Sequence, residues 1–286
     1  MADETQVKIL DQGISAWNTW RDINTDIKID LSGIFLRRHF YSGVNFANAN
    51  LKGSDLSGRV FLASNLSGAI LDGCAMDLTD FSNSNLSCSS FLKADLSHSK
   101  FENCNLSNTI LSDTNLYSVR CTNANFINSS ISYANLRYAE LNGANFSNSN
   151  LSHADLTKAI AHGADFTNCD LSEANLNEVD FTDANLSGTD LQYCSLVKTI
   201  IERAILTECK VFGISVWDLQ GNPKDQKNLV ITYQDRYSKS RSDIEITVDD
   251  LKMAQFIYLI VNNKNIRDVI DTLTTKVVLI LGRFTE

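Results

Sequence analysis

The chain has 286 residues, a net charge of −9 and a pI near 4.9, an acidic balance that opposes nonspecific attachment to nucleic acid or to an anionic membrane. Its opening residues, Met1 to Thr5, carry neither the basic nor the apolar region of a signal peptide, and no apolar run reaches the length of a membrane span. The expected compartment is the cytoplasm, and membranes and direct nucleic-acid binding are excluded as expected partners.

The first element is an end cap, expected over residues 1–28. From Gln6 to about Asp22, Val7, Ile9, Leu10, Ile14, Trp17 and Trp20 recur at roughly helical spacing, which predicts one short amphipathic helix. Whatever follows it is repetitive, and a repetitive array needs its end covered, because an open end presents bare core and unpaired strand edges. Trp17 and Trp20 are predicted to supply that cover.

From Leu31 to about Leu206 every fifth residue is apolar, as in Leu51, Leu56, Phe61, Leu66 and Leu71, or Leu136, Leu141, Phe146, Leu151 and Leu156. Two residues before each centre stands a small residue (Ala49, Ser64, Ala94, Cys104, Thr114, Ala144, Ala174), and one before it is usually Asn or Asp. A period of five is neither the 3.6 of a helix nor the 2.0 of a flat strand. It suits a chain that turns a corner every five residues, so that all centres point to one axis and only small residues fit beside the corners. Units of this kind cannot bury their apolar sides alone, so stability accumulates by stacking.

The copies "ADLSH", "ANFSN", "ADFTN" and "ANLSG" resemble the pentapeptide repeat family, over nearly two thirds of the chain. The resemblance implies an all-β fold: a right-handed quadrilateral parallel β-helix in which five residues make one side and twenty make one coil. Over residues 29–216 that gives about nine coils and, at the spacing of paired strands, a rod of roughly 40 Å.

On this lattice residue n stacks beside n + 20, and outward columns become readable. Asn45, Asn65, Asn85, Asn105, Asn125 and Asn145 form one column, which could build an amide ladder or satisfy backbone groups at the corners, the second being expected. A second column reads Val60, Asp80, Lys100, Arg120, Glu140, Ile160, Asp180 and Ile200. It has lost the Asn/Asp rule, and is the candidate interaction surface if it is not a tolerant solvent face. Inside that column the centres thin from Phe101 through Cys121 and Leu141 to Ala161, so a packing defect, or compensation by an inward Ile160, is expected near Ala161. Between Ala159 and Val197 lie Asp165, Asp170, Glu173, Glu178, Asp180, Asp183 and Asp190 without one Lys or Arg. They are the candidate acidic patch, either solvated surface or a docking site for a basic partner. Of the seven cysteines, Cys74, Cys104, Cys169, Cys194 and Cys209 take the small inward position, Cys121 replaces a centre and only Cys88 points outward. None are twenty residues apart, so they read as core hydrophobes in a reducing compartment rather than as disulfides.

Residues 217–286 are expected to form a strand and helix segment. "QKNLVITY" and "SDIEITV" read as strands, Asp249 as the cap of a helix running to about Asn262, residues 265–274 as a second helix and 277–281 as a buried strand. "GISAWNTWRD", "FGISVWDLQG" and this last segment are similar to sequences that bracket the repeats in bacterial pentapeptide repeat proteins continuing into a Toll/interleukin-receptor-like domain. The resemblance implies that the α/β unit begun here continues beyond Glu286.

No chemistry-bearing constellation appears. His39, His98, His153 and His162 share no twenty-residue step, the carboxylates follow the lattice, and no phosphate loop, dinucleotide fingerprint or nucleophile elbow is present. No catalytic, cofactor-binding or metal site is expected. The sequence reads as a non-catalytic scaffold for a protein partner or for self-association, or as the sensor or positioning half of a larger effector. The alternative is an acidic DNA-mimic rod that binds a DNA-handling enzyme such as DNA gyrase.

Overall fold

The computed structural model describes residues 2–234 and 243–262. Each five-residue unit closes on itself. The amide of the small residue donates to the carbonyl of the preceding centre, as in Ala49 to Phe46 at 3.0 Å and Ala94 to Phe91 at 2.9 Å. The residue two after the centre is left-handed, with φ of 56° at Asn48, 62° at Asn83 and 58° at Lys93, which is what the third residue of a type II turn requires. Asn and Gly recur there because they enter that region at least cost.

The residue before each centre then pairs in parallel with its counterpart twenty positions on, from Asp30↔Asn50 to Lys210↔Val230. Asn65 donates to Val44 O at 2.9 Å, and its carbonyl accepts from Phe46 N at 2.7 Å. Most sides make only this one bridge, because two residues later the chain is already turning. Three-residue strands appear near the C-terminal end: β1 (Ser195–Val197), β2 (Ile205–Thr207), β3 (Ser215–Trp217) and β4 (Asp225–Lys227), paired in parallel as β1 with β3 and β2 with β4.

The centres are fully buried along the axis. Small polar residues beside them are buried too, and they donate to the carbonyl 23 positions earlier, as in Ser54 Oγ to Leu31 O at 3.0 Å, Thr79 Oγ1 to Leu56 O at 2.9 Å and Cys74 Sγ to Leu51 O at 3.0 Å. Aromatic bulk sits on one side of the rod in the early coils, where Tyr41, Phe61, Phe81 and Phe101 stack at 5.2–5.5 Å. It then moves to the next side, where Phe126, Phe146 and Phe166 stack at 4.7–5.0 Å. This move explains the thinning at Cys121, Leu141 and Ala161: each precedes one of those Phe centres by one side of the coil. Ile160 does not compensate. It lies outward and 41% exposed, so the expectation of an inward Ile160 is corrected.

The N-terminal cap is two helices rather than the single one predicted, α1 (Glu4–Gln12) and α2 (Ile14–Ile23), broken at Gly13 with φ 126°. Asp3 Oδ1 caps α1 by accepting from Thr5 N at 2.8 Å. Trp17 is wholly buried, lies edge-on to Phe46 at 5.6 Å, and donates from Nε1 to Asn45 O at 2.8 Å; Trp20 packs on it at 5.4 Å.

Beyond the coils, β5 (Leu229–Gln234) and β6 (Asp243–Val248) pair antiparallel, and α3 (Leu251–Asn262) follows. The cap of α3 is Asp250, whose Oδ1 accepts from Met253 N at 3.0 Å. The predicted cap, Asp249, instead accepts from Asn228 N at 2.9 Å, and so ties the helix start to the last turn of the coils. The expected helix over 265–274 and strand over 277–281 lie outside the described residues.

Candidate interaction surfaces

What the outward columns can do follows from how their polar groups are used. In the Asn column every side-chain oxygen accepts the amide two residues on, from Asn45 with Ala47 at 3.1 Å to Asn145 with Ser147 at 2.9 Å. The amides therefore satisfy turn donors that would otherwise be orphaned. One rung of a ladder is added in this column, Asn105 to Asn85 at 3.3 Å. A longer one, Asp95–Asn115–Asn135 at 2.9 and 3.0 Å, runs on the side whose interior is the Leu column.

Val60, Asp80, Lys100, Arg120, Glu140, Ile160, Asp180 and Ile200 stand together as one continuous column of bridges. Four of its members join in ion pairs: Lys100 with Asp80 at 3.6 Å, and Arg120 with Glu140 at 3.3 Å. Arg120 also reaches Glu102 at 2.7 Å, and Asp180 receives His162 at 2.8 Å. Burial works to raise the Asp180 carboxyl, but the hydrogen bonds from Thr182 and His162 outweigh it and hold it below its ordinary value.

The seven acidic residues are not brought together. Asp170 and Asp190 are bridge neighbours, Asp165 and Asp180 belong to two other columns, and Glu173, Glu178 and Asp183 occupy left-handed turn positions on three different sides. Most are also spoken for. Asp165, Asp170 and Asp190 accept turn amides, while Glu173 meets His153 at 3.3 Å, Glu178 meets Lys158 at 3.7 Å and Asp190 meets Lys210 at 3.2 Å. Asp183 receives Arg203 through two bonds of 2.6 and 2.7 Å, which lower the pKa of the carboxyl and raise that of the guanidinium. The cations lie one coil away, before or after the Ala159–Val197 window, so a linear count of charge could not see them.

A cluster not anticipated lies at the corner beside the Val60–Ile200 column. His98 meets Tyr117 edge-on at 5.5 Å, Tyr117 meets Tyr138 edge-on at 5.5 Å, and the Lys158 ammonium stands 5.6 Å over the Tyr138 ring. Arg137 is beside it, 3.9 Å from Asp155. Tyr138 is 40% exposed and Leu78, one step before His98 in the same turn column, is 65% exposed. The signal was present in the sequence, at the positions one and two residues after the centres rather than before them.

Among the described residues no group of His, Cys, Asp and Glu could hold a metal ion, and no helix is long and apolar enough to cross a membrane. Burial pushes the thiols of Cys74 up to about 11 and of Cys104 and Cys209 up to about 12, so at neutral pH they are protonated core groups rather than nucleophiles.

No curated protein matches the chain in sequence. Among solved structures it is similar to HetL, a pentapeptide repeat protein involved in heterocyst differentiation regulation from the cyanobacterium Nostoc sp. strain PCC 7120, at 23% identity and a TM-score of 0.57, covering 71% of this chain and 90% of that one. Full-length QnrB1, a plasmid-mediated fluoroquinolone resistance protein, matches at 17% identity and a TM-score of 0.35, over 68% of this chain and 91% of the other. A pentapeptide repeat protein from the Arabidopsis thaliana thylakoid lumen matches at 25% identity and a TM-score of 0.21, over 49% and 67% of the two chains. The family model for pentapeptide repeats (8 copies) matches residues 28–58, 42–76, 60–97, 94–132, 134–172 and 169–207. With its five-residue turns and its twenty-residue pairing, the chain belongs to the pentapeptide repeat family.

Proposed function

We propose that this chain is a non-catalytic scaffold, a right-handed rod of about nine coils between an N-terminal cap and the segment from 217 onward, which binds a protein partner through one lateral corner. The observation that carries the reading is the ring chain His98–Tyr117–Tyr138, with Lys158 over its last member, set against the column of Lys100, Arg120, Glu140 and Ile160. Tyrosine and arginine dominate the energetic centres of protein interfaces, because both bring large contact area and a polar tip. A rigid backbone holds these groups at fixed spacing, so little ordering cost accompanies binding. The same rod would position whatever follows residue 262, consistent with the sensor or positioning half of a larger effector.

The test is photo-crosslinking in the native host, with a benzophenone side chain placed at position 117, 138, 85 or 165. Crosslinks to one protein from 117 and 138 only are expected, and equal yields from all four positions would sink the reading. The acidic DNA-mimic alternative would need carboxylates free and in rows. Here they are spread over four sides and largely paired, so stoichiometric protein is expected to leave gyrase supercoiling unchanged.

A further inference from the structure

In each later coil, the residue before the centre uses both its N–H and its C=O to bond the preceding coil. In the first coil those groups face the N-terminal end, and the cap takes over on two sides only. Asp30 N donates to Gln6 Oε1 at 2.8 Å and Asp30 O accepts from Asp3 N at 2.8 Å. Asn45 N donates to Asn18 Oδ1 at 2.9 Å and Asn45 O accepts from Trp17 Nε1 at 2.8 Å. On the other two sides stand Phe35 and Phe40, 62% and 66% exposed. Among the described residues nothing bonds the backbone N–H or C=O of either. A cleft of about 320 Å³ opens beside Phe35, walled by Val7 and Leu10 of α1 and by Ile34, Leu36 and Tyr41 of the first coil.

Three arginines of the first coils, Arg37, Arg38 and Arg59, stand at this edge without a close carboxylate partner. Arg120, Arg137 and Arg203 all meet carboxylates. Arg38 instead donates to the carbonyl of Asp11 at 2.6 Å, and Arg59 donates to Leu36 O at 2.9 Å while lying 5.1 Å over the Phe35 ring. Arg37, its side chain 80% exposed, approaches the Asp11 carboxylate only to 4.0 Å. The nearby Asp55 carboxylate is engaged by its own turn, accepting from Ser57 N at 3.0 Å. Of these three guanidiniums only Arg37 has a carboxylate within 4.0 Å, that of Asp11.

We propose that an extended acidic segment of a partner protein adds to this open edge, where a preceding coil would lie. The N–H and C=O groups of Phe35 and Phe40 would hold its backbone, as in recognition by strand addition. The cleft receives an apolar side chain, and Arg37, Arg38 and Arg59 receive its carboxylates. This end site is separate from the lateral corner, so either can fail without the other.

The test uses the full chain and a fluorescein-labelled peptide alternating Glu with Val and Leu, read by fluorescence anisotropy beside its Lys counterpart. Saturable binding of the Glu peptide alone is expected, weakening as salt is added. The double variant Arg37→Glu/Arg38→Glu should weaken it at least about tenfold. Phe35→Pro should do the same while lowering the thermal midpoint only slightly, because the N–H it removes bonds nothing in the free chain and the ring it removes, under Arg59, is mostly exposed. No saturable binding of the Glu peptide, or binding equal in wild type and both variants, overturns the proposal. So does a concentration-dependent dimer in sedimentation velocity that Phe35→Pro abolishes, since the occupant would then be a second copy.

Discussion

Two neighbouring faces of the rod share one backbone and differ in how they use their side chains. Along Asn45 to Asn145 each amide turns inward on its own corner and satisfies a turn N–H. Along Val60 to Ile200 only Asp80 and Asp180 do so, with Ser82 N and Thr182 N, both at 3.0 Å. The remaining members leave their corners without that acceptor: Lys100, Arg120 and Glu140 pair along the rod instead, coil to coil, while Val60, Ile160 and Ile200 present aliphatic side chains. The bridges are equally continuous on both faces. Stacking therefore does not depend on the Asn rule. Where the rule is kept the side chains are committed to the turns, and where it lapses most of the polar ones are committed to ion pairs instead.

If the axis carries the stability for both faces, Leu136→Asp should have the largest effect of any single change. An unpaired carboxylate on the axis should cost several kcal/mol and collapse the rod, seen as loss of the cooperative melt; an unchanged melting curve would mean that the axis is misplaced. Next in size is Phe146→Ala, expected to cost about 3–5 kcal/mol in denaturant unfolding. Ala161→Phe should lose about 1–3 kcal/mol by overpacking against Phe166. Combining it with Phe166→Leu should recover most of that loss, since the pair returns the bulk to the side it occupies at Phe101. A double variant no better than Ala161→Phe alone would show that the two sides do not exchange volume.

Smaller effects separate the faces themselves. Asn85→Ala leaves the Ser87 amide without its acceptor and should cost about 1 kcal/mol. Lys100→Ala removes only a solvent-facing pair and should cost under about 1 kcal/mol, with the difference fading in high salt. Equal costs at both sites would erase the distinction drawn between the faces. The smallest effect is pH-dependent. The Asp180 carboxyl is held below its ordinary value of 3.8, so its contribution is present above about pH 4 and is lost as pH falls through the folded value. The stability gap between wild type and Asp180→Asn should therefore close on acidification, and a gap that widens would reverse the assignment.

The repeat, its centres, its small positions and, Ile160 apart, the direction of its columns were legible in the sequence, because a period of five leaves few geometries open. The break between α1 and α2 was not, since the apolar spacing runs through Gly13 and only a backbone angle interrupts it. Nor was the compensation at Ala161, which depends on the neighbouring side and not on the residue before it. The acidic window misled for a related reason. Asp183 and Arg203 are twenty residues apart in sequence, yet 2.6 Å apart in space. The aromatic corner is not marked by the residue before each centre, because Tyr117 and Tyr138 follow theirs.

Six of the seven cysteines are buried at intervals along the axis, and Cys88 alone is exposed. A thiol reagent added to the native protein would therefore label Cys88 at once and each of the others only when its own coil opens. Cys74, Cys104 and Cys121 report on one half of the rod, Cys169, Cys194 and Cys209 on the other. The order in which they become labelled would give a map of local opening, at the resolution of about a coil, without altering a single residue.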